Sequence, residues 1–325
     1  MEEKRRKIKR SAVLSAMLTL LLLSVFFCLL LRIVRRKEEE QPRIFGSTYM
    51  TMNNPYFTAL NESIRQVVEA NGDILITRDP AQDQDRQNQE IIDMIDEGIS
   101  VLFANAADWE KIGPALDACE KAGVAVFAVD TKVGQDDKVI SVIESDNYLA
   151  GVLVAKDLMK KMPRGADIVV MYDQGVYSMV ERRQGFLDTI AERPEYRIVA
   201  ETADSSEIEV SPVGMNRILA ENVSFDAVFG VNDPTALGAL AGLQMNGAAE
   251  DILIYGVDGS PDVKSMIDRG QMEGTVAQYP IRMGRIAAET AYEYLEGMPV
   301  PGSVPVDVTL ITKANLREYD LNEWQ

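Results

Sequence analysis

Two short apolar runs of this 325-residue chain each end in a side chain rich in hydrogen-bonding capacity. Residues 227–231 lead into Asn232-Asp233-Pro234, and residues 252–257 lead into Asp258-Gly259. The arrangement recurs along the chain. Asn53-Asn54-Pro55-Tyr56-Phe57 follows the first apolar run, Asn105 the third and Asp130 the fourth. Arg182 lies in the second half, and Gln278 ends a late strand. Carboxylates accept from vicinal hydroxyls, amides both accept and donate, and arginine offers a rigid fork of donors. Aromatic rings cover the apolar faces of a ring-shaped polyol. This mix suits a neutral polyhydroxylated ligand, because an anion calls for more Arg and Lys. Each position also suits a plain cap or turn, with Asn54 capping a helix that Pro55 opens. Repetition at strand end after strand end favours binding.

Those residues need elements to position them, and the periodicity supplies an alternation. Strands are predicted over 43–48, 74–77, 101–104, 125–129 and 139–143, with helices over 55–70, 83–97 and 109–122. A helix to 162, capped by Asp146-Asn147, leads into a second series. Its strands cover 168–172, 197–202, 227–231 and 253–257, with helices over 180–191, 207–221 and 234–246. A strand at 274–278, a helix at 281–295 and a last strand at 306–311 follow. The fully apolar strands fit a parallel sheet covered on both faces, and the βαβ order means a doubly wound α/β fold. Two wound units imply two lobes with a cleft between strand ends, where small ligands bind.

Composition excludes several chemistries. The chain has no histidine, so the commonest general base, metal ligand and catalytic triads are missing. There is no glycine-rich phosphate loop. Asp79, Asp83 and Asp85 lack the glycine and terminal glutamate of an EF-hand and read as a cap and a solvated face. No metal and no cofactor are expected. Cys28 and Cys119 lie in an apolar run and a predicted helix, and no pairing is expected. Ten of the 33 basic residues lie in 1–37, leaving 23 basic against 49 acidic residues over 38–325. A surface this acidic repels nucleic acid.

The basic residues frame an apolar segment. Residues 11–31 carry no charge, and as a helix they span about 30 Å, the hydrocarbon thickness of a bilayer. The cluster before them is larger than the one after, which keeps the N-terminus in the cytoplasm and sends the rest outside. The expected organisation is a cytoplasmic basic segment (1–10), a transmembrane anchor (11–34) and a linker (35–42). A first lobe over 43–145 plus 279–307 and a second over 146–278 plus 308–325 follow. A cleaved signal peptide is the rival, but no small-x-small site ends the run. Cys28 follows bulky Val25-Phe26-Phe27, unlike a lipoprotein site. The closing LNEWQ offers no second spanning helix and no kinase domain.

Several motifs in order carry a resemblance: NNPYF (53–57), FAVDT (127–131), ESDNYLAG (144–151), ERRQGF (181–186), FGVNDPTALGAL (229–240), YGVDGSPD (255–262) and TVAQYP (275–280). Over about 43–315 the chain resembles bacterial type I periplasmic sugar-binding proteins, close to the ribose-binding group. The resemblance implies two Rossmann-like lobes, three hinge strands and a cleft that closes on one monosaccharide, without catalysis. It implies that Asn54, Tyr56 and Phe57 are the first-lobe asparagine and aromatic pair. Asn105 and Asp130 would be first-lobe hydroxyl ligands, Arg182, Asn232 and Asp258 their second-lobe counterparts, and Gln278 the hinge glutamine. The chain departs from the family twice. Thr131, with Lys132 next, stands where ribose binders have arginine. Ser205 stands where they have an aromatic, so the second lobe lacks its stacking ring unless Tyr177 or Tyr172 supplies one. The pocket should therefore be roomier, and the sugar a pentose, hexose, polyol or modified sugar. Delivery to an ABC permease is the leading expectation, and reporting to a membrane histidine kinase the alternative. A transcription regulator of the same architecture and a glycoside-processing enzyme are remote ones.

Overall fold

The computed structural model describes residues 41–325 apart from 204–207 and 209, together with Ser24, Phe26 and Phe27. The expected anchor over 11–34 lies outside the described residues except for those last three, which are helical with both aromatics exposed. Among the described residues no helix is long and apolar enough to cross a membrane. Residues 44–325 form one compact unit.

The first series runs β1 (Ile44–Thr48), α1 (Pro55–Ala70), β2 (Ile74–Arg78), α2 (Gln84–Asp96), β3 (Ile99–Ala104), α3 (Gly113–Ala122), β4 (Ala125–Asp130) and β5 (Ser141–Ser145). The second runs α4 (Asn147–Lys161), β6 (Ala166–Met171), α5 (Tyr177–Ile190), β7 (Tyr196–Thr202), α6 (Ser211–Ala220), β8 (Ala227–Gly230), α7 (Asp233–Met245), β9 (Leu253–Asp258), α8 (Pro261–Asp268) and β10 (Gly274–Ala277). The chain then passes through α9 (Pro280–Leu295), β11 (Ser303–Val306) and β12 (Thr309–Thr312). Two six-stranded sheets result, ordered β11-β5-β4-β3-β1-β2 and β12-β10-β9-β8-β6-β7.

Alternation along the strands explains the layers. In β3 and β4, Phe103, Phe127 and Val129 face Leu60 and Ile64 of α1 and Met283 and Ala287 of α9. Their neighbours Leu102, Val126 and Ala128 face Ile91 of α2 and Leu116 of α3. The second sheet repeats this. Ile168, Val170 and Phe229 face Val154 of α4 and Phe186 of α5, while Val169, Val228 and Ile254 face Met215 of α6 and Leu240 of α7. A period of two with both faces apolar is what a doubly covered sheet demands. Cys119 is buried and unpaired in the layer of Leu102, Val126 and Leu116, and Cys28 lies outside the described residues.

Two expectations need correction. The last predicted strand, 306–311, is two strands. β11 pairs parallel with β5 of the first sheet, and β12 pairs antiparallel with β10 of the second. The turn at Asp307-Val308 carries the chain from one sheet to the other, and a local apolar pattern cannot show such a change of partner. The second sheet is therefore not wholly parallel. The helix α8 was absent from the sequence reading, although Ser260 caps it and Pro261 opens it.

Candidate functional site

The chain crosses between the two sheets at residues 146, 278–279 and 307–308, and the strand ends of both lobes border one cavity of about 380 Å3. That volume lies within the usual range of small-molecule pockets, roughly 300–1,000 Å3. Asn54, Tyr56, Phe57, Asp130, Arg182, Asn232, Asp258 and Gln278 all line it.

The first lobe contributes from β1, α1 and β4. Asn54 caps α1, its Oδ1 accepting from the Tyr56 backbone N–H at 2.9 Å. Pro55 at the first turn then fixes the helix entry, which places both aromatics at the cavity. Tyr56 and Phe57 pack edge to face, 5.4 Å apart. Asp130 ends β4 with φ at +70°, a left-handed backbone uncommon outside glycine. It is 4% exposed, and its Oδ1 has no hydrogen-bond partner among the described residues. Its Oδ2 accepts from Asn105 Nδ2 at 3.2 Å.

The second lobe contributes from the ends of β8 and β9 and from α5. Asn232 caps α7 through an Oδ1 bond from Thr235 N–H at 2.8 Å. Asp258 has φ at +145°, far from the usual backbone of a non-glycine residue. Such strain clusters at ligand sites, where surrounding structure holds it. Asp258 Oδ1 accepts from Gln278 Nε2 at 2.7 Å, and Oδ2 from the Asp233 N–H at 3.2 Å. Arg182 is 2% exposed. It donates from Nε to Asn147 Oδ1 at 2.9 Å and from Nη1 to the Val231 carbonyl at 3.0 Å. The same Nη1 lies 3.9 Å from Asp258 Oδ1. Tyr56 Oη donates to Gln278 Oε1 at 3.4 Å, which joins the lobes at the hinge.

Charge in this enclosure is unbalanced. Burial raises the Asp258 carboxyl well above the ordinary range, nearby Asp233 raises it further, and Arg182 opposes both. Burial likewise raises Asp130 and Asp233. One guanidinium against three carboxyls disfavours an anionic ligand.

Several expected ligand residues stand behind the cavity wall. Asn105 uses its amide on Asp130, on the Val129 carbonyl at 3.3 Å and on the Met50 N–H at 3.1 Å. It orients Asp130. Thr131 accepts from the Ser178 N–H at 3.0 Å across the lobes. Tyr177 packs edge-on against Trp109 with centroids 4.9 Å apart, and Tyr172 lies under Arg183 at 5.0 Å. Neither tyrosine supplies a ring to the cavity. Ser205 lies outside the described residues.

Sequence reasoning missed several contributors, Asp233, Ser178 and Trp324 among them. Asp233 was read as part of a turn, yet it is fully buried and accepts from Thr275 Oγ1 at 2.6 Å and the Ser260 N–H at 2.7 Å. Ser178 also lines the cavity. So does Trp324, in the segment that looked bland. Its one signal was rarity, since the chain has two tryptophans.

The lobes are closed on each other. Lys132 Nζ reaches Glu181 at 2.9 Å across the cleft mouth and Glu144 at 3.3 Å on its own side. Trp109 N–H donates to the Gly175 carbonyl at 3.2 Å.

Known proteins share this architecture. The periplasmic binding protein domain matches residues 45–299. The ribose import binding protein of Escherichia coli (strain K12) is 30% identical over 264 residues, 81% of this chain and 88% of the relative. An ABC transporter solute binding protein of Mycobacterium smegmatis, solved with bound glycerol, superposes with a TM-score of 0.80 at 30% identity. That match covers 86% of this chain and 96% of the other. The Caulobacter myo-inositol binding protein, solved with myo-inositol, gives a TM-score of 0.79 at 25% identity over 86% and 97% of the two chains. With residues 45–299, most of its length, matched by the family model, the chain belongs to the periplasmic binding protein domain family.

Proposed function

We propose that the chain binds one neutral monosaccharide or cyclic polyol in the interlobe cavity and hands it to an ABC-type importer. The observation that carries this reading is Asp130. A buried carboxylate oxygen without a partner, on a strained backbone at a cavity wall, fits a ligand hydroxyl. Asp258, Gln278, Asn232 and Arg182 offer further hydroxyl partners, and Tyr56 and Phe57 an apolar wall. The excess of buried carboxyls argues against sugar phosphates and sugar acids. The relatives bind ribose, glycerol and myo-inositol by their names, and the first is an import protein, which favours delivery over a sensor kinase. None of these is an enzyme by name, and we read this chain as a binding protein too. We place the domain outside the cytoplasmic membrane, held by the apolar segment 11–34, on the charge pattern of the sequence.

Thermal unfolding against a panel of monosaccharides, polyols and sugar phosphates tests the reading. A bound neutral sugar at a hundred times its Kd adds about 2.7 kcal/mol of stability. Stabilisation by sugar phosphates alone, or by no member of the panel, overturns it.

A further inference from the structure

The cavity has a ring that comes from no strand end of either sheet. Trp324 lies in the segment that follows a short 3-10 helix (Leu316–Glu318), past the last strand of either sheet, and its indole lines the cavity. It packs on Tyr56 with centroids 5.7 Å apart and planes at 76°. Tyr56 is in turn edge-on to Phe57. The three rings form one aromatic corner of the wall, which also holds aliphatic side chains such as Met50, Met179 and Leu237 beside the carboxyls and amides. Tyr177 and Tyr172, the alternatives nearer in sequence, are engaged elsewhere.

The segment is fastened by bonds that need not exist for the fold of either sheet. Lys264 is 1% exposed, a rare state for lysine. Its ammonium donates to the backbone carbonyls of Asp320 at 2.6 Å and Glu323 at 2.5 Å, on either side of the short run that leads to Trp324. Gln325 Nε2 donates to the Asp258 carbonyl at 2.9 Å and also to the Gln278 carbonyl. Two residues that bear on the ligand thus carry the strap on their own backbones. Gly259 accommodates it: a Cβ there would come 2.6 Å from Gln325 Nε2 and meet the Ala277 backbone, and its φ is +74°. Burying an ammonium costs free energy unless it is hydrogen-bonded, and here the strap supplies the acceptors: the Asp320 and Glu323 carbonyls and Gln325 Oε1.

We propose that Trp324 is the specificity-determining platform of the cavity, covering one apolar face of a ring-shaped ligand, and that Lys264 is the residue that positions it. The proposal rests on the sugar-binding reading above. It makes the C-terminal strap, rather than a strand-end loop of the second lobe, the source of the stacking ring. A ligand with a continuous apolar ring face, such as a pyranose or cyclitol, gains from an indole more than from a smaller ring, because the contact area is larger.

Calorimetric titration of the full chain with D-ribose, D-allose and myo-inositol tests it. Trp324→Ala should weaken the tightest of the three about tenfold or more, the scale of a lost aromatic contact. Trp324→Phe should recover most of that loss, since a ring is restored. Lys264→Met should reproduce the alanine loss, because the strap is released while the cavity residues stay intact. Tryptophan fluorescence gives a second readout that a structural role does not move. Ligand should change the emission of the unsubstituted chain and of Lys264→Arg by clearly more than that of Trp324→Phe, whose remaining Trp109 lies at the contact between the lobes and reports their closure alone. Equal affinity of Trp324→Ala and the unsubstituted chain overturns the platform and leaves the sugar-binding reading standing. So does a loss in Trp324→Phe as large as in Trp324→Ala. If the unsubstituted chain binds none of the three while the wider panel yields a ligand, the same variants are titrated with that ligand and the same outcomes decide. If no sugar or polyol binds, the functional reading falls, and the platform with it.

Discussion

At the scale of single residues, the site is built from groups held in costly states. Asp130 and Asp258 both adopt positive φ, and both are buried with raised carboxyl pKa. Burial is the main cause in each case, and Arg182 works against it in each. A ligand hydroxyl would supply the partner that Asp130 Oδ1 lacks. Asp258→Ala should therefore abolish measurable ligand-induced stabilisation while the chain keeps its fold. A lost partner in a buried hydrogen-bond set costs about 1–3 kcal/mol, and Asp258 serves Gln278 and Asp233 besides. Circular dichroism reads the fold and thermal shift the binding. Full ligand-induced stabilisation of this variant would remove Asp258 from the site. Most of these residues were legible in sequence because a polar side chain directly after an apolar run is a local signal. Asn105 carried the same signal, and its amide bonds Asp130 and the backbone behind the cavity wall, since the direction of a side chain depends on its neighbours in space.

At the scale of elements, the position of Arg182 depends on how closely two helices approach. A Cβ on Gly151 of α4 would overlap the carbonyl oxygen of Arg182 in α5, and one on Gly185 would overlap that of Tyr148 in α4. Reciprocal glycines let the backbones touch, and Arg182 reaches Asn147 at the start of α4 as a result. Gly151→Ala should force the helices apart. The expected loss of stability is about 1–3 kcal/mol, the scale of overpacking in a dense core, read by chemical denaturation. Ligand affinity should fall with it, because the guanidinium moves. Unchanged stability and affinity together would mean that the helices yield without cost. The motif ESDNYLAG was visible in the sequence, but its glycine was read as a family marker. Only the helix pair shows what that glycine does.

At the scale of the whole molecule, the closed arrangement places charge at the cleft mouth. Burial raises the Glu144 carboxyl to about 7, Glu181 and Asp130 add to the rise, and Lys132 opposes it. Its Oε2 has no hydrogen-bond partner among the described residues. The native state therefore holds a proton on Glu144 between about pH 4.5 and 7, where the unfolded chain has released it. Stability from this group is greatest below that window and falls as pH rises through 7. Asp130, Asp233 and Asp258 are shifted the same way, so the midpoint of thermal unfolding should drop between pH 5 and pH 8. Glu144→Gln should flatten part of that drop, with the other three leaving a residual slope. An unaltered pH profile in Glu144→Gln would show that this carboxyl titrates normally. Lys132 is shifted upward by its acidic partners and stays charged throughout this range.

The sequence by itself determined the order of strands and helices, the two lobes and the polar residues at strand ends. These follow from periods of two and 3.6 and from capping chemistry, all of which act over a few residues. Tertiary structure decided which of those residues meet a common cavity, and which stand behind it. It also split the last strand between two sheets and brought Trp324 to the cleft. Tyr56 and Gln278 bond across 222 positions of chain, and Asp258 and Gln325 across 67. No local pattern carries such a pairing, because it depends on how two lobes and a strap pack around the same space.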